Sequence, residues 1–161
     1  MGRKGREIVK VDVGELIELL KKAYADEWIA YYAYKWIAKM VHGLGSPHIK
    51  ELAEKIAEEE EEHANELAER ILELGGDLPY GIEKLYEIAN CKTVKYPEDL
   101  NDLKGILEAL AEAEACAIEV YNKILNWLSP CYEKDVKTFH LIEHILSEEI
   151  AHEEAFENLM E

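Results

Sequence analysis

The tightest constraint on this chain is a carboxylate–histidine pattern that occurs twice. Glu27 is followed 33 residues later by Glu60-x-x-His63, and Glu114 is followed 35 residues later by Glu149-x-x-His152. All six positions lie in long stretches whose apolar residues recur at helical spacing. A Glu at i and a His at i+3 share a helical face, so each pair can grip one ion. One Glu-x-x-His carries little weight in a chain this rich in Glu. Two of them, each preceded at nearly the same distance by a Glu in an apolar helix, carry a great deal. Four carboxylates and two imidazoles from four helices are what a carboxylate-bridged di-metal centre in a bundle requires.

The rest of the chain divides around this pattern. Its 161 residues are the size of one domain with a real core. Asp12, with Glu15 three positions on, is a capping-box-like start to a first helix over about 12–42, which Gly43 and Gly45 end. Ser46 as N-cap and Pro47 open a second helix, about 47–74, which stops at Gly75-Gly76. Residues 77–96 are too long for a hairpin turn. They read as a crossover along the bundle that makes the second and third helices parallel, with one short helical piece at about 82–89. A third helix covers about 98–128, Ser129-Pro130 breaks the chain, and a fourth covers about 134–160. Residues 1–11 read as a flexible arm. The expected fold is all-α: a ferritin-like four-helix bundle, two hairpins joined by one long crossover that contains a short helix.

Roles at the site follow from helical phase. Glu27, Ala30, Tyr31 and Tyr34 share one face, as do Glu114, Ala117, Ile118 and Tyr121. A carboxylate on such an apolar stripe costs several kcal/mol unless it is paired or bound to metal. Glu60 and Glu149 are expected to bridge two metals, His63 and His152 to cap one each, and Glu27 and Glu114 to close one each. Hard oxygen with imidazole nitrogen and no thiolate suits iron, or manganese, better than a structural zinc. Two iron ions per subunit, with manganese possible in their place, are therefore the expected cofactor. Glu148 competes with Glu149 and Glu112 with Glu114; the i+3 spacing favours Glu149 and the stripe favours Glu114. Each His is expected to donate its second N–H to an outer partner that the sequence does not identify. Tyr24, Tyr31, Tyr32 and Tyr34 surround Glu27 and read mainly as core. His140 and His144 fall off the Glu149 stripe and read as surface or intersubunit residues, with an entry-channel metal site as the alternative. His42 and His48, beside the first turn, carry little information.

The net charge of −17 disfavours nucleic acid and anionic membrane as partners and favours cations. The basic residues of the arm, Arg3, Lys4, Arg6 and Lys10, make only a weak case for DNA, so DNA binding is not expected. No apolar run reaches the roughly 18–20 residues of a membrane span, and no apolar stretch follows the basic N-terminus. The expectation is a cytoplasmic protein. There is no Gln, and Glu and Lys abound, a composition that leans towards a thermophile. That bears on Cys91, Cys116 and Cys131, since cytosolic disulfides occur mainly in hyperthermophiles. Cys116 points about 200° round its helix from Glu114 and Cys91 lies in the outer crossover, so the two can meet. Spacing does not establish a bond. Cys131 looks solitary.

The stretches Glu-Ile-Ala-Asn-Cys (87–91), Ala-Glu-Ala-Cys-Ala-Ile (113–118) and Glu-Glu-Ile-Ala-His-Glu (148–153) resemble the archaeal Dps-like proteins, also called thioferritins. The resemblance covers essentially the whole chain, and the paired cysteines are its most specific part. It implies a dodecameric cage of four-helix subunits. Each subunit would oxidise Fe(II) with hydrogen peroxide, or O2, at an intrasubunit di-iron site and store the ferric product, protecting against oxidative stress. By position it implies Glu27, Glu60, His63, Glu114, Glu149 and His152 as ligands and Cys91–Cys116 as a neighbouring thiol pair. The alternatives are a rubrerythrin-like peroxidase, which needs an electron donor that three scattered cysteines do not supply, a dimanganese catalase, or a bundle that holds metal structurally.

Overall fold

The computed structural model describes residues 1–91 and 93–161. Six α-helices follow in order: α1 Arg3–Ile8, α2 Val13–Met40, α3 Ser46–Glu73, α4 Ile82–Ile88, α5 Leu103–Leu128 and α6 Val136–Asn158, with a 3₁₀ turn at Ser129–Lys134 between the last two. No strand occurs among the described residues. The long pairs α2–α3 and α5–α6 form the two expected hairpins, and α4 of the crossover lies against α2.

The helix ends are fixed by short polar side chains. Asp12, Asp102 and Asp135 each accept a backbone N–H three residues on, from Glu15, Gly105 and Thr138. These caps explain two shifts from the expected bounds. Asp99 folds back on the N–H of Asn101, so α5 starts at Leu103 and not near 98. The 3₁₀ turn occupies the residues before Asp135, so α6 starts at Val136. Gly45, with φ +95°, takes the cap position of α3 in place of Ser46. At the other end of α3, Gly75 has φ +92°. The N–H of Gly76 returns to the carbonyl of Ile71 at 2.9 Å, and that of Gly75 to Leu72 at 3.1 Å. This Schellman closure requires the left-handed residue that glycine supplies.

The arm also differs from expectation. In place of a flexible tail, residues 3–8 form a short helix, and the N–H of Lys10 bonds the carbonyl of Lys134 at 3.0 Å. The sulfur of Met1 lies 3.9 Å from Arg70 Nη1. Arg70 itself is 2% exposed. It donates to Thr138 Oγ1 at 2.7 Å, to Asp135 Oδ1 at 2.8 Å and to Glu73 Oε2 at 2.9 Å, tying α3 to the start of α6.

Two apolar clusters fill the bundle. One packs Leu16, Leu20, Leu67, Ile71, Ile124, Leu128, Ile142 and Ile145. The other packs Ile37, Val41, Ile49, Ile56, Ile106, Leu107, Leu110 and Phe156. Between these clusters lie the buried Glu27, Glu60, His63, Glu114, Glu149 and His152. A greasy bundle is thus interrupted by one charged layer.

Replacing Arg70 by Ala leaves Asp135 buried without its partner. The expected cost is about 3–5 kcal/mol, the range for breaking a buried ion pair by removing one member, read from denaturant unfolding of the two proteins.

Candidate metal centre

All six expected residues converge. Glu27, Glu60, His63 and Glu149 offer donor atoms within 4.8 Å of one another, and so do Glu60, Glu114, Glu149 and His152. Glu60 and Glu149 belong to both groups. Every member is at most 5% exposed. Of the five consecutive glutamates 58–62, only Glu60 is buried; Glu58, Glu61 and Glu62 face solvent and Glu59 is half-buried. The phase set by His63 therefore selects the inward residue. Glu112 is exposed, in line with the choice of Glu114.

Both imidazoles turn the same way. His63 Nδ1 points inward, 3.1 Å from Glu149 Oε1 and 3.5 Å from Glu27 Oε2. His152 Nδ1 lies 3.5 Å from Glu60 Oε1 and 3.8 Å from Glu114 Oε2. Each Nε2 points outward to a carboxylate of the opposite hairpin: His63 to Glu148 Oε2 at 2.7 Å, His152 to Glu59 Oε2 at 3.0 Å. With the proton on Nε2, the inward Nδ1 carries a free lone pair, the state a metal-binding imidazole needs. The outer partners are the residues just before Glu60 and Glu149. The doubled Glu-Glu-x-x-His spelling was the signal for them, and a reading that treated Glu148 only as a rival to Glu149 misses it.

Two tyrosines complete the layer crosswise. Tyr34 of α2 donates to Glu114 Oε1 of α5 at 2.5 Å, and Tyr121 of α5 donates to Glu27 of α2. Burial, followed by the charge of the acceptor carboxylate, holds both phenols well above their ordinary pKa, so both stay protonated donors. Of the tyrosines around Glu27, Tyr34 alone reaches the layer in this way; Tyr32 is exposed and Tyr24 and Tyr31 are half-buried. His42, His48, His140 and His144 are exposed.

Burial and mutual charge set the electrostatics of the layer. Burial, then the charges of Glu149 and Glu27, hold Glu60 well above the usual carboxylate range. Burial pushes Glu114 up to about 8 against the pull of the His152 imidazole beside it. At Glu149 burial is outweighed by the neighbouring imidazoles of His152 and His63, which hold it down to about 2. Burial also opposes the charge on His152, but Glu114, Glu149 and Glu60 push it up to about 12. His63 is raised for the same reason by Glu149, Glu27 and Glu60. Glu27 Oε2, Glu60 Oε1, Glu149 Oε1, His63 Nδ1 and His152 Nδ1 are all buried without a hydrogen-bond partner. Unpartnered buried polar atoms cost about 1–3 kcal/mol each. Five of them aimed at one volume fit divalent metal.

Cys91 and Cys116 are bonded, with Cα atoms 6.0 Å apart, closing a loop of 25 residues. Cys131 is free and half-buried. Asp26, next to Glu27, fixes the same part of the crossover. Its Oδ1 accepts from the N–H of Cys91 at 2.8 Å and its Oδ2 from Asn90 Nδ2 at 2.7 Å. A cavity of about 480 Å³ runs from Cys91, Val94 and Cys116 inward to Glu27, Glu60, Glu114 and Glu149. The disulfide is part of its wall.

Residues 17–161 match the family model of the ferritin-like domain. The chain is 41% identical over 150 residues to the DNA protection during starvation protein of Pyrococcus furiosus, spanning 93% of this chain and 79% of that protein. It is 33% identical over 149 residues to a bacterioferritin of Desulfovibrio desulfuricans, spanning 90% and 74%. Its fold superposes on a dodecameric thioferritin, the bacterioferritin-related protein of Bacteroides fragilis. The TM-score is 0.90 at 34% identity, over 99% of this chain and 93% of that one. The resemblance read from the cysteine and histidine segments thus holds across the whole fold.

Two outcomes follow. Carboxyls raised in the fold, Glu114 to about 8 and Glu60 in the same direction, favour the folded state while protonated. Their contribution is present at acid pH and is lost as pH rises through the folded pKa. The raised imidazoles lose theirs over the alkaline range, up to about 12 for His152. Metal-free protein should therefore melt lower at pH 8 than at pH 5. Mn(II) or Co(II) at a hundredfold excess over Kd, worth about 2.7 kcal/mol per ion, should raise the melting temperature more at pH 8 than at pH 5. Calorimetric scans at both pH values check this, and an equal metal effect at the two would count against it. Separately, Cys116→Ser should lower stability by about 2–4 kcal/mol, the typical worth of a disulfide closing such a loop, read from denaturant unfolding without reductant.

Proposed function

This chain belongs to the ferritin-like domain family, and we propose that within it the protein is an iron-oxidising, iron-storing Dps-like protein that works as a homo-oligomeric cage. The observation that carries the reading is the pair of buried donor groups sharing Glu60 and Glu149, with five unpartnered donor atoms facing inward. Such a layer suits two divalent ions bridged by Glu60 and Glu149. Glu27 with His63 would close one and Glu114 with His152 the other. Fe(II) is the substrate. Two Fe(II) give up one electron each, and hydrogen peroxide takes both with two protons to leave two waters. Delivering both electrons together avoids hydroxyl radical.

The chain's own groups supply the rest. Glu148 and Glu59 accept from Nε2–H of the two imidazoles, which would leave each Nδ1 lone pair free to hold an ion. Tyr34 and Tyr121 fix the terminal carboxylates by their O–H bonds, leaving each Glu one oxygen for metal. Because the donors are preset and buried, little reorganisation would accompany the change in iron charge. The cavity beside the disulfide gives peroxide a path to the four carboxylates. Assembly is supported by exposed apolar side chains on α2 and on the crossover. Tyr32, Trp36 and Met40 follow one another by four along α2, and Tyr80, Ile82 and Tyr86 lie on the crossover, Tyr80 at 97% exposure. Faces of this kind are normally covered by a partner. The Bacteroides relative is dodecameric, and twelve copies are the number proposed here. No helix among the described residues is long and apolar enough to cross a membrane.

The deciding measurement is iron retained per subunit. Metal-free protein is loaded anaerobically with excess Fe(II), treated with peroxide and passed down a sizing column. Retention far above the two ions that one di-metal site holds, in a particle much larger than one chain, is expected. Retention of only that pair with rapid peroxide turnover would favour the peroxidase or catalase reading. Glu60→Gln, which weakens the shared bridge, should cut the initial rate of Fe(II) oxidation at least as much as the 10–100-fold typical of losing an outer-shell partner. An unchanged rate would remove Glu60 from the site.

A further inference from the structure

The cavity beside the disulfide is larger than hydrogen peroxide needs. Peroxide has two oxygens, and a water's share of the liquid is about 30 Å³. The cavity is about 480 Å³, within the range of about 300–1,000 Å³ that small organic ligands occupy. Its lining changes with depth. Glu27, Glu60, Glu114 and Glu149 form the inner end, and α3 and α6 contribute only Glu60 and Glu149 to it. Further out the walls are apolar and mostly small: Ile29, Ala30 and Ala33 of α2, Ala113 and Ala117 of α5, and Val94 of the crossover. Thr93, Lys95 and Glu112 at the mouth are exposed.

The sequence leaves this room beside the carboxylates. Ala30 lies one turn after Glu27 and Ala117 one turn after Glu114, so the next side chain on each face ends at Cβ. The crossover wall is fixed by the Cys91–Cys116 bond and by the bonds of Asp26 to Cys91 and Asn90. At the inner end, Glu27 Oε2, Glu60 Oε1 and Glu149 Oε1 are buried without a hydrogen-bond partner, on side chains at most 2% exposed. Unpartnered polar atoms under an apolar chamber suit a molecule with a polar head and an apolar body.

We propose that this cavity makes neutral alkyl hydroperoxides substrates alongside hydrogen peroxide, with the O–O group at the four carboxylates and the alkyl group against Ala30, Ala33, Ala113 and Ala117. The inference rests on the reading of the central layer as the place where Fe(II) is oxidised. Two Fe(II) supply two electrons, and the group that takes them as a pair is an O–O bond. That bond breaks, two Fe(II) become two Fe(III), and two protons from solvent complete one alcohol and one water. The substrate is neutral because a net charge of −17, with four carboxylates at the inner end, repels an anionic one.

Cumene hydroperoxide is the probe. Protein loaded anaerobically with two Fe(II) per chain is mixed with it or with hydrogen peroxide, iron oxidation is followed by absorbance, and the organic product is separated by chromatography. Cumene hydroperoxide should oxidise the iron and leave one 2-phenyl-2-propanol for every two Fe(II). Acetophenone in its place, the mark of one-electron cleavage through an alkoxyl radical, overturns the two-electron step. Ala117→Leu, which fills the space beside Glu114, should lower the ratio of the cumene hydroperoxide rate to the hydrogen peroxide rate about 10-fold or more, the low end of what one methylene is worth in an apolar pocket. An unchanged ratio overturns the placement of the alkyl group. Binding is read without iron, by calorimetric titration of the protein with 2-phenyl-2-propanol. One saturable site per chain is expected, lost in Ala117→Leu; Ala30→Val, a smaller filling, should weaken it and serves if the leucine variant does not fold. Absence of saturable binding to the wild type overturns the proposal. Oxidation by hydrogen peroxide but not by cumene hydroperoxide overturns it and leaves the iron reading standing. Oxidation by neither sinks the iron reading and the proposal with it.

Discussion

Everything in this fold is arranged around the cost of four carboxylates in the middle of an apolar bundle. Uncompensated, that layer would not stay buried: the desolvation of each charge runs to several kcal/mol. The chain offsets it in three ways. Two imidazoles lie among the carboxylates, two phenols donate into them, and the remaining lone pairs point at one buried volume that suits metal. The apolar clusters above and below then have a definite task. They keep water out, which makes the cation a better partner for these oxygens than any solvent molecule.

The layer also explains why the bundle is built of two near-copies. The carboxylate shared by both donor groups comes from each hairpin in turn, and so does an imidazole, because the donors lie on facing helices. The second N–H of each imidazole crosses to the opposite hairpin, to Glu148 or Glu59. Each half therefore orients the ligands of the other. The crossover, which belongs to neither repeat, is fastened beside the site by Asp26 and by the Cys91–Cys116 bond.

Much of this was legible because the centre is written in spacings. Glu-x-x-His forces two donors onto one face whatever the neighbours are, and the phase of His63 singles out Glu60 from a run of five glutamates. The hairpins and the crossover were marked by Gly, Pro and Asp, whose backbone preferences are local. What escaped were relations between helices. Arg70 lies on the same apolar face as His63 and Leu67, yet nothing local says that Thr138 and Asp135 wait for it on another element. The docking of the arm beside Lys134 is equally non-local. The start of α5 was displaced by a competing turn at Asp99–Asn101, a contest between two capping options that periodicity does not resolve. The disulfide stayed open in the sequence because two cysteines and a plausible geometry do not make a bond.

The crosswise phenols have a bearing on how the chain reaches this state. Tyr34 serves a glutamate of the second hairpin and Tyr121 one of the first, so a folded hairpin without its mate carries both a buried-facing carboxylate with no donor and a phenol with no acceptor. Neither half is a partial metal site with half the affinity. Docking of the hairpins, pairing of the polar groups and creation of the buried donor volume are therefore a single cooperative event.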